Sequence, residues 1–314
     1  TETHDPGADD DTIRAVRELI DEKQFPIRVY TMLSDSGQAF DSGNALLRDW
    51  FARGPLIDYG GRLTVRAVKV YADGALGSRG AALLAPYSDD PGNSGLMLAK
   101  PEHIADVAKR ALAAGFQVNT HAIGDRGVRN VIDAYETAGV KPENRFRIEH
   151  LQVISPPDLR RLVANGIIAS MQPTHATSDM YWAEKRLGPS RILGAYAWRE
   201  VLNAGGRLAL GSDFPVEEVN PFYGIHAAVT RQDHKNWPQG GWYPDQRLGF
   251  PEALRGFTSD AAYAAFEEGS RGTIEVGKLA DLTIVEGNFL ATPSQDLWKA
   301  KVRQTVVGGD VVYP

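Results

Sequence analysis

The sequence predicts an α/β fold of parallel strand–helix units, followed by a small β region. Two observations carry that reading. Through most of the chain, β-branched runs alternate with helical patterns, the signature of repeated βα units. After residue 270 the texture changes to short β runs with glycine turns and little helix between them. The expected division is 1–270 for the βα part and 271–314 for part of a small β domain.

The elements follow in order. The opening stretch, TETHDPGADDD, is acidic and polar and reads as a loop. Residues 11–23 place apolar side chains at 13, 16, 19 and 20, a helical spacing. IRVYTML (27–33) and LTVRAVKVYA (63–72) read as strands. A helix over 101–115 has Pro101 suited to its first turn and Gly115 to its end. It leads into the strand 116–123. A helix over 126–138 leads to the strand 145–150, and one near 156–165 to the strand 166–173. A helix over 190–204 leads to the strand 207–213, and a last helix spans 250–266. The segment 231–247, rich in glycine, proline and aromatics, reads as a long loop. That gives six strands, mostly separated by helices.

Composition narrows the function. The chain has 314 residues, 43% hydrophobic and 24% charged, enough for a sizeable core. A net charge of −6 without a basic stretch argues against nucleic acid. No transmembrane run or signal peptide is evident, so no membrane partner and a cytoplasmic location are expected. With no cysteine, a metal site must use histidine, carboxylate or modified lysine.

Four polar residues stand at or near strand ends: Lys69 in VKVYADG, His121 in VNTHAIGD, His150 in RIEH and Asp213 in LALGSDFP. In a parallel barrel the C-terminal strand ends form the active-site face, so adjacent strands bring such residues together. Each has an ordinary structural alternative: a hydrogen-bonded core histidine, a turn-capping aspartate, or Lys69 paired with Asp73. Asp125 reads as a helix N-cap. Glu149, next to His150, belongs on the other face of a regular strand and reads as structural.

KVYADGALGSR, HAIGD, RIEHLQ, SMQPTH, GSDFPV and GTIEVGKLADLTIVEG, in that order, resemble the amidohydrolase superfamily, and within it the YtcJ-like metal-dependent hydrolases. The resemblance implies a TIM-type (β/α)8 barrel with a small β-sandwich. It implies one or two divalent ions, zinc first among them. It places a carbamylated bridging lysine at Lys69, metal histidines at His121 and His150, and a metal-binding catalytic aspartate at Asp213. It further implies hydrolysis of an amide or formamide-like C–N bond of a small molecule, through a metal-activated water. His175 and Asp73 are expected to contact substrate.

The His-x-His pair common on the family's first strand is missing, and His4 stands alone. The six strands correspond to barrel strands three to eight. The chain is therefore expected to be the C-terminal part of a longer protein, its open sheet pairing with an N-terminal fragment or a second copy. Two functions are in view: a metal-dependent hydrolase, or a non-catalytic relative that binds a metal or small molecule without turnover.

Overall fold

The computed structural model describes residues 1–38 and 43–314. It begins with a strand where a loop was expected. β1 (Glu2–Ala8) runs parallel to β2 (Arg28–Ser34), with His4 opposite Tyr30 and Pro6 opposite Met32. Proline lacks the N–H that an inner ladder needs, so a strand carrying one suits a sheet edge or a bulge. β1 has both: it is the first strand of the sheet, and its register slips between Pro6 and Ala8. Between these strands lies α1 (Asp10–Asp21), capped by Asp9, whose side chain accepts the Thr12 N–H.

After β2 come α2 (Ala45–Arg53), β3 (Leu56–Tyr59) and β4 (Leu63–Tyr71). Then follow α3 (Pro101–Ala114), β5 (Gln117–Ala122), α4 (Asp125–Ala138), β6 (Arg147–His150), α5 (Pro156–Ala164) and β7 (Ile168–Met171). The sheet order is β1-β2-β4-β5-β6-β7-β8, with β8 at Leu208–Leu210, all parallel; β3 pairs antiparallel with β4. The described parallel strands therefore number seven, not six. Among the described residues β1 and β8 are not paired, so the sheet is an open, barrel-like layer.

Three expected helices come out differently. Asp125 is the first helical residue of α4, not its cap; Gly124 occupies the cap, and Asp125 Oδ1 accepts the Leu84 N–H at 2.8 Å. The region from 173 to 203 divides into α6 (Pro173–Asp179), α7 (Ala183–Arg191) and α8 (Trp198–Asn203). Gly188 is non-helical, and Pro189 beside it cannot donate to a helical ladder. After α9 (Pro221–Thr230), the last helix divides into α10 (Phe250–Gly256) and α11 (Ser259–Ala264).

Alternation sorts the strand side chains. Val68 and Val70 of β4 join the main apolar core with Val118, Ile148 and the α3 and α4 residues Ile104, Val107, Val128 and Ile132. On the inner face Tyr30, Met32 and Ala67 pack with Ala265, and Ile168 and Ala209 with Ala264. Gln117 donates to the Ala264 carbonyl at 2.9 Å, fixing this floor of the sheet's interior. Lys69 lies on the same inner face.

The chain ends in an antiparallel sheet, β9 (Leu282–Val285), β10 (Val302–Val307) and β11 (Asp310–Tyr313). It is fastened to β2 by a buried bidentate pair: Arg28 Nε and Nη2 donate to Asp281 at 2.6 and 2.9 Å. No helix among the described residues is long and apolar enough to cross a membrane.

Candidate functional site

The C-terminal strand ends carry Lys69 on β4, His121 on β5 and His150 on β6. His175 lies on α6, four residues past β7, and Asp213 three residues past β8. Parallel register sets Lys69 beside Asn119, and His121 beside Glu149. Lys69 is 3% exposed, its carbonyl accepts the Asp35 N–H, and among the described residues no hydrogen bond or ion pair engages its side chain. Its Nζ lies 4.8 Å from the centre of the Tyr71 ring. Burial pushes its pKa down; the charges of Glu149 and Asp213 oppose that shift, and Arg147 adds to it.

A backbone kink builds the next part of the site. His150 has φ 76° and Leu151 φ 44°, both in the left-handed region. Such angles are uncommon for residues with a Cβ and are held where the surrounding structure demands them. On a regular strand His150 would face away from Glu149. Here its ring lies 4.6 Å from that of His121 and 5.7 Å from that of His175. Glu149 is inside as well, with Oε1 3.0 Å from Arg147 Nε. The expectation that Glu149 belongs to the outer face is thus corrected, because the alternation that supported it ends at His150.

Three donors converge. His150, His175 and Asp213 bring one ligand atom each within 4.8 Å of one another. His175 Nε2 lies 3.6 Å from Asp213 Oδ2 and is buried without a hydrogen-bond partner. Gln172 Oε1 lies 2.8 Å from His150 Nδ1, which fixes that nitrogen as the N–H and leaves Nε2 as the lone-pair nitrogen. Gln152 Nε2 is 3.3 Å from His175 Nδ1. Burial pushes His150 well below its ordinary pKa, with His121, Lys69 and His175 adding to the shift. Burial takes His175 to about 4, and burial with Lys69 takes His121 to about 3. All three are neutral near pH 7, the ligating form of imidazole.

His121 stands beside this trio, not within it. Asp73, expected to contact substrate, is fully buried. Its Oδ2 accepts the Ala82 and Gly124 N–H groups, both at 2.8 Å, and its Oδ1 accepts that of Ile123 at 2.9 Å. Those contacts leave it no face toward a substrate and no ion pair with Lys69. His4 lies four register positions below the level of Lys69, its Nδ1 2.9 Å from Arg147 Nη1. The resemblance implies substrate contact for His175, whereas its ring stands with His150 and Asp213; the strand-end reading picks out neither Gln172 nor Gln152. Gln172 stood in the quoted SMQPTH block, one residue past β7, and its position after a strand end was the available signal.

The sequence profile of the amidohydrolase family matches residues 2–313. The chain is 34% identical over 260 residues to the putative amidohydrolase YtcJ of Bacillus subtilis, covering 83% of this chain and 48% of that protein. It is 28% identical over 216 residues to the N-substituted formamide deformylase of Arthrobacter pascens, covering 67% of this chain and 39% of that protein. An uncharacterized metal-dependent hydrolase from Pyrococcus horikoshii OT3 superposes with a TM-score of 0.77 at 28% identity, over 88% of this chain and 53% of that one. The chain spans about half the length of the curated relatives it matches.

Proposed function

The chain belongs to the amidohydrolase family, and from that premise we propose that it carries the metal centre of a hydrolase acting on an amide or formamide-like C–N bond of a small molecule. The observation that supports this most is the convergence of His150, His175 and Asp213. Two imidazoles and a carboxylate suit zinc among the divalent ions. The fit is favoured by the free Nε2 of His150. His175 Nε2 ligates in the tautomer that carries its proton on Nδ1, with the Gln152 amide presenting its oxygen to that N–H. His175 is therefore assigned to the ion before the substrate. His121 and Lys69, beside the trio, are the next donors. Lys69 joins as a carbamate: its neutral amine forms an N–C bond to CO2, releases a proton and becomes an anionic two-oxygen group.

A divalent ion held there supplies Lewis acidity, which polarises a carbonyl and makes water acidic enough to release a proton near neutral pH. The chain's own part falls to Asp213. It takes the proton of the attacking water as the water oxygen bonds to the carbonyl carbon. It returns that proton to nitrogen as the C–N bond breaks, leaving an acid and an amine. Burial raises the Asp213 pKa, and Lys69 opposes the rise. A carboxylate so placed is a stronger base than a free one.

The test is zinc binding and turnover together. Chelator-stripped chain reloaded with zinc is expected to hold one tight ion, and to lose it in His150→Ala. The whole protein is expected to hydrolyse members of a panel of N-substituted formamides and amides, and Asp213→Asn to abolish this and to weaken the ion, since it replaces one of the three donors by a neutral amide. No tight zinc in the wild type would overturn the reading. Retained zinc with no turnover across the panel would favour the non-catalytic binding role.

A further inference from the structure

We propose that Asp73 is a positioning residue that sets the orientation and tautomer of His121, turning Nδ1 toward the candidate metal centre. The inference rests on the reading of that site as a metal centre. Asp73 Oδ1 lies 3.7 Å from His121 Nε2. That nitrogen is buried without a hydrogen-bond partner, and the carboxylate and the Gly74 backbone are the groups that act on the ring from this side. An ionised carboxylate only accepts, so the nitrogen facing it is favoured as N–H, and the other keeps the lone pair that a metal needs.

The carboxylate cannot swing away. The N–H groups of Ala82, Ile123 and Gly124 hold both of its oxygens, from the loop after β4 and from the β5–α4 turn. The α4 backbone closes the remaining side. A Cβ built on Gly127 would stand 2.6 Å from Asp73 Oδ2 and 2.8 Å from its Cγ. Only glycine there leaves the carboxylate its place. Gly127 thus gives a way to displace Asp73 without removing it.

The experiment uses the full chain with three substitutions, Asp73→Asn, Gly127→Ala and His121→Ala. Side-chain 15N–1H correlation spectra of the metal-free protein report which His121 nitrogen carries the proton. Zinc titration reports affinity, and circular dichroism reports the fold. The wild type is expected to show a single Nε2–H tautomer. Gly127→Ala is expected to mix the tautomers and weaken zinc by about 10- to 100-fold, the usual cost of losing a carboxylate behind a ligating histidine. It should do so with the fold intact, since alanine is the better helix former. Asp73→Asn is expected to act in the same direction, and if it does not fold, Gly127→Ala decides alone. A folded Gly127→Ala with unchanged tautomer and unchanged affinity overturns the proposal, as does an Nδ1–H tautomer in the wild type. His121→Ala separates the two levels. Unchanged zinc affinity there overturns the ligand assignment and this inference with it; lost affinity there, with Gly127→Ala unchanged, overturns only the role of Asp73.

Discussion

Arg147 and Glu149, two residues apart on β6, face each other inside the sheet with Nε 3.0 Å from Oε1, and the Arg147 side chain is 1% exposed. Their charges are paired where water cannot screen them. Breaking such a pair leaves one uncompensated buried charge, which costs about 3–5 kcal/mol, whereas replacing both partners by neutral groups is often nearly neutral. Arg147→Met is therefore expected to destabilise the chain by about that much. Arg147→Met combined with Glu149→Gln should recover most of the loss. Urea unfolding of the two variants and the wild type measures it, and equal destabilisation in single and double variants would contradict the pairing.

Acid should weaken the metal-free fold through its buried imidazoles. Burial with Arg147 and Arg271 holds His4 at about 3, and burial with Lys69 holds His121 at about 3, against 6.5 unfolded. Between those values the unfolded chain binds more protons than the folded one, so stability falls as pH drops from about 6.5 towards 3. The expected loss at pH 4 is on the order of 2–3 kcal/mol for each residue. Buried carboxyls held high, Asp73 at about 6 and Asp179 at about 7, act in the opposite sense, so the contribution of His4 is read by comparing urea midpoints of wild type and His4→Gln at pH 7, 5.5 and 4. His4→Gln should show a shallower fall than the wild type.

The ligand trio predicts an ordering of zinc affinities. His150→Ala and His175→Ala each remove one of three converging donors and should lose most of the affinity. His4→Ala, four register positions below, should keep it. Lys69→Ala should weaken binding, with partial recovery in Lys69→Glu, which supplies a shorter carboxylate. Isothermal titration on stripped protein gives the order, and zinc binding unimpaired in His175→Ala would remove that residue from the set.

The parts of the fold that could be read from sequence were those where one local signal dominates. β4, with its valine run, and α3, with proline at its start and glycine at its end, stood out on both counts. β1 did not, because Pro6, Gly7 and its charges are poor strand residues, accommodated where the register slips between Pro6 and Ala8. The break between Arg191 and Trp198, inside the helix expected over 190–204, and the break at Phe257–Thr258 were hidden by apolar spacing that continues across them. Within the site, Lys69, His121, His150 and Asp213 were legible as strand-end residues. The inward turn of Glu149 was not, because alternation assumes regular dihedrals and His150 departs from them. Nor was the setting of Asp73, since its partners come from residues 82, 123 and 124, which only the folded chain brings near.

The buried Arg28–Asp281 pair joins the two ends of the sequence. Asp281 also accepts the Gly308 N–H at 2.7 Å, so one carboxylate holds the start of β2 and the turn between β10 and β11. Burial pushes that carboxyl up, but its hydrogen bonds with Arg28 and Gly308 outweigh this and leave it below the ordinary range. The terminal sheet is then not a separately fraying appendage. Amide protons of β9 and β10 should exchange with deuterium in the same slow class as those of β2, because opening either releases the same pair. Arg28→Ala should split the two classes, with β9 and β10 exchanging first while β5 and β6 keep their protection.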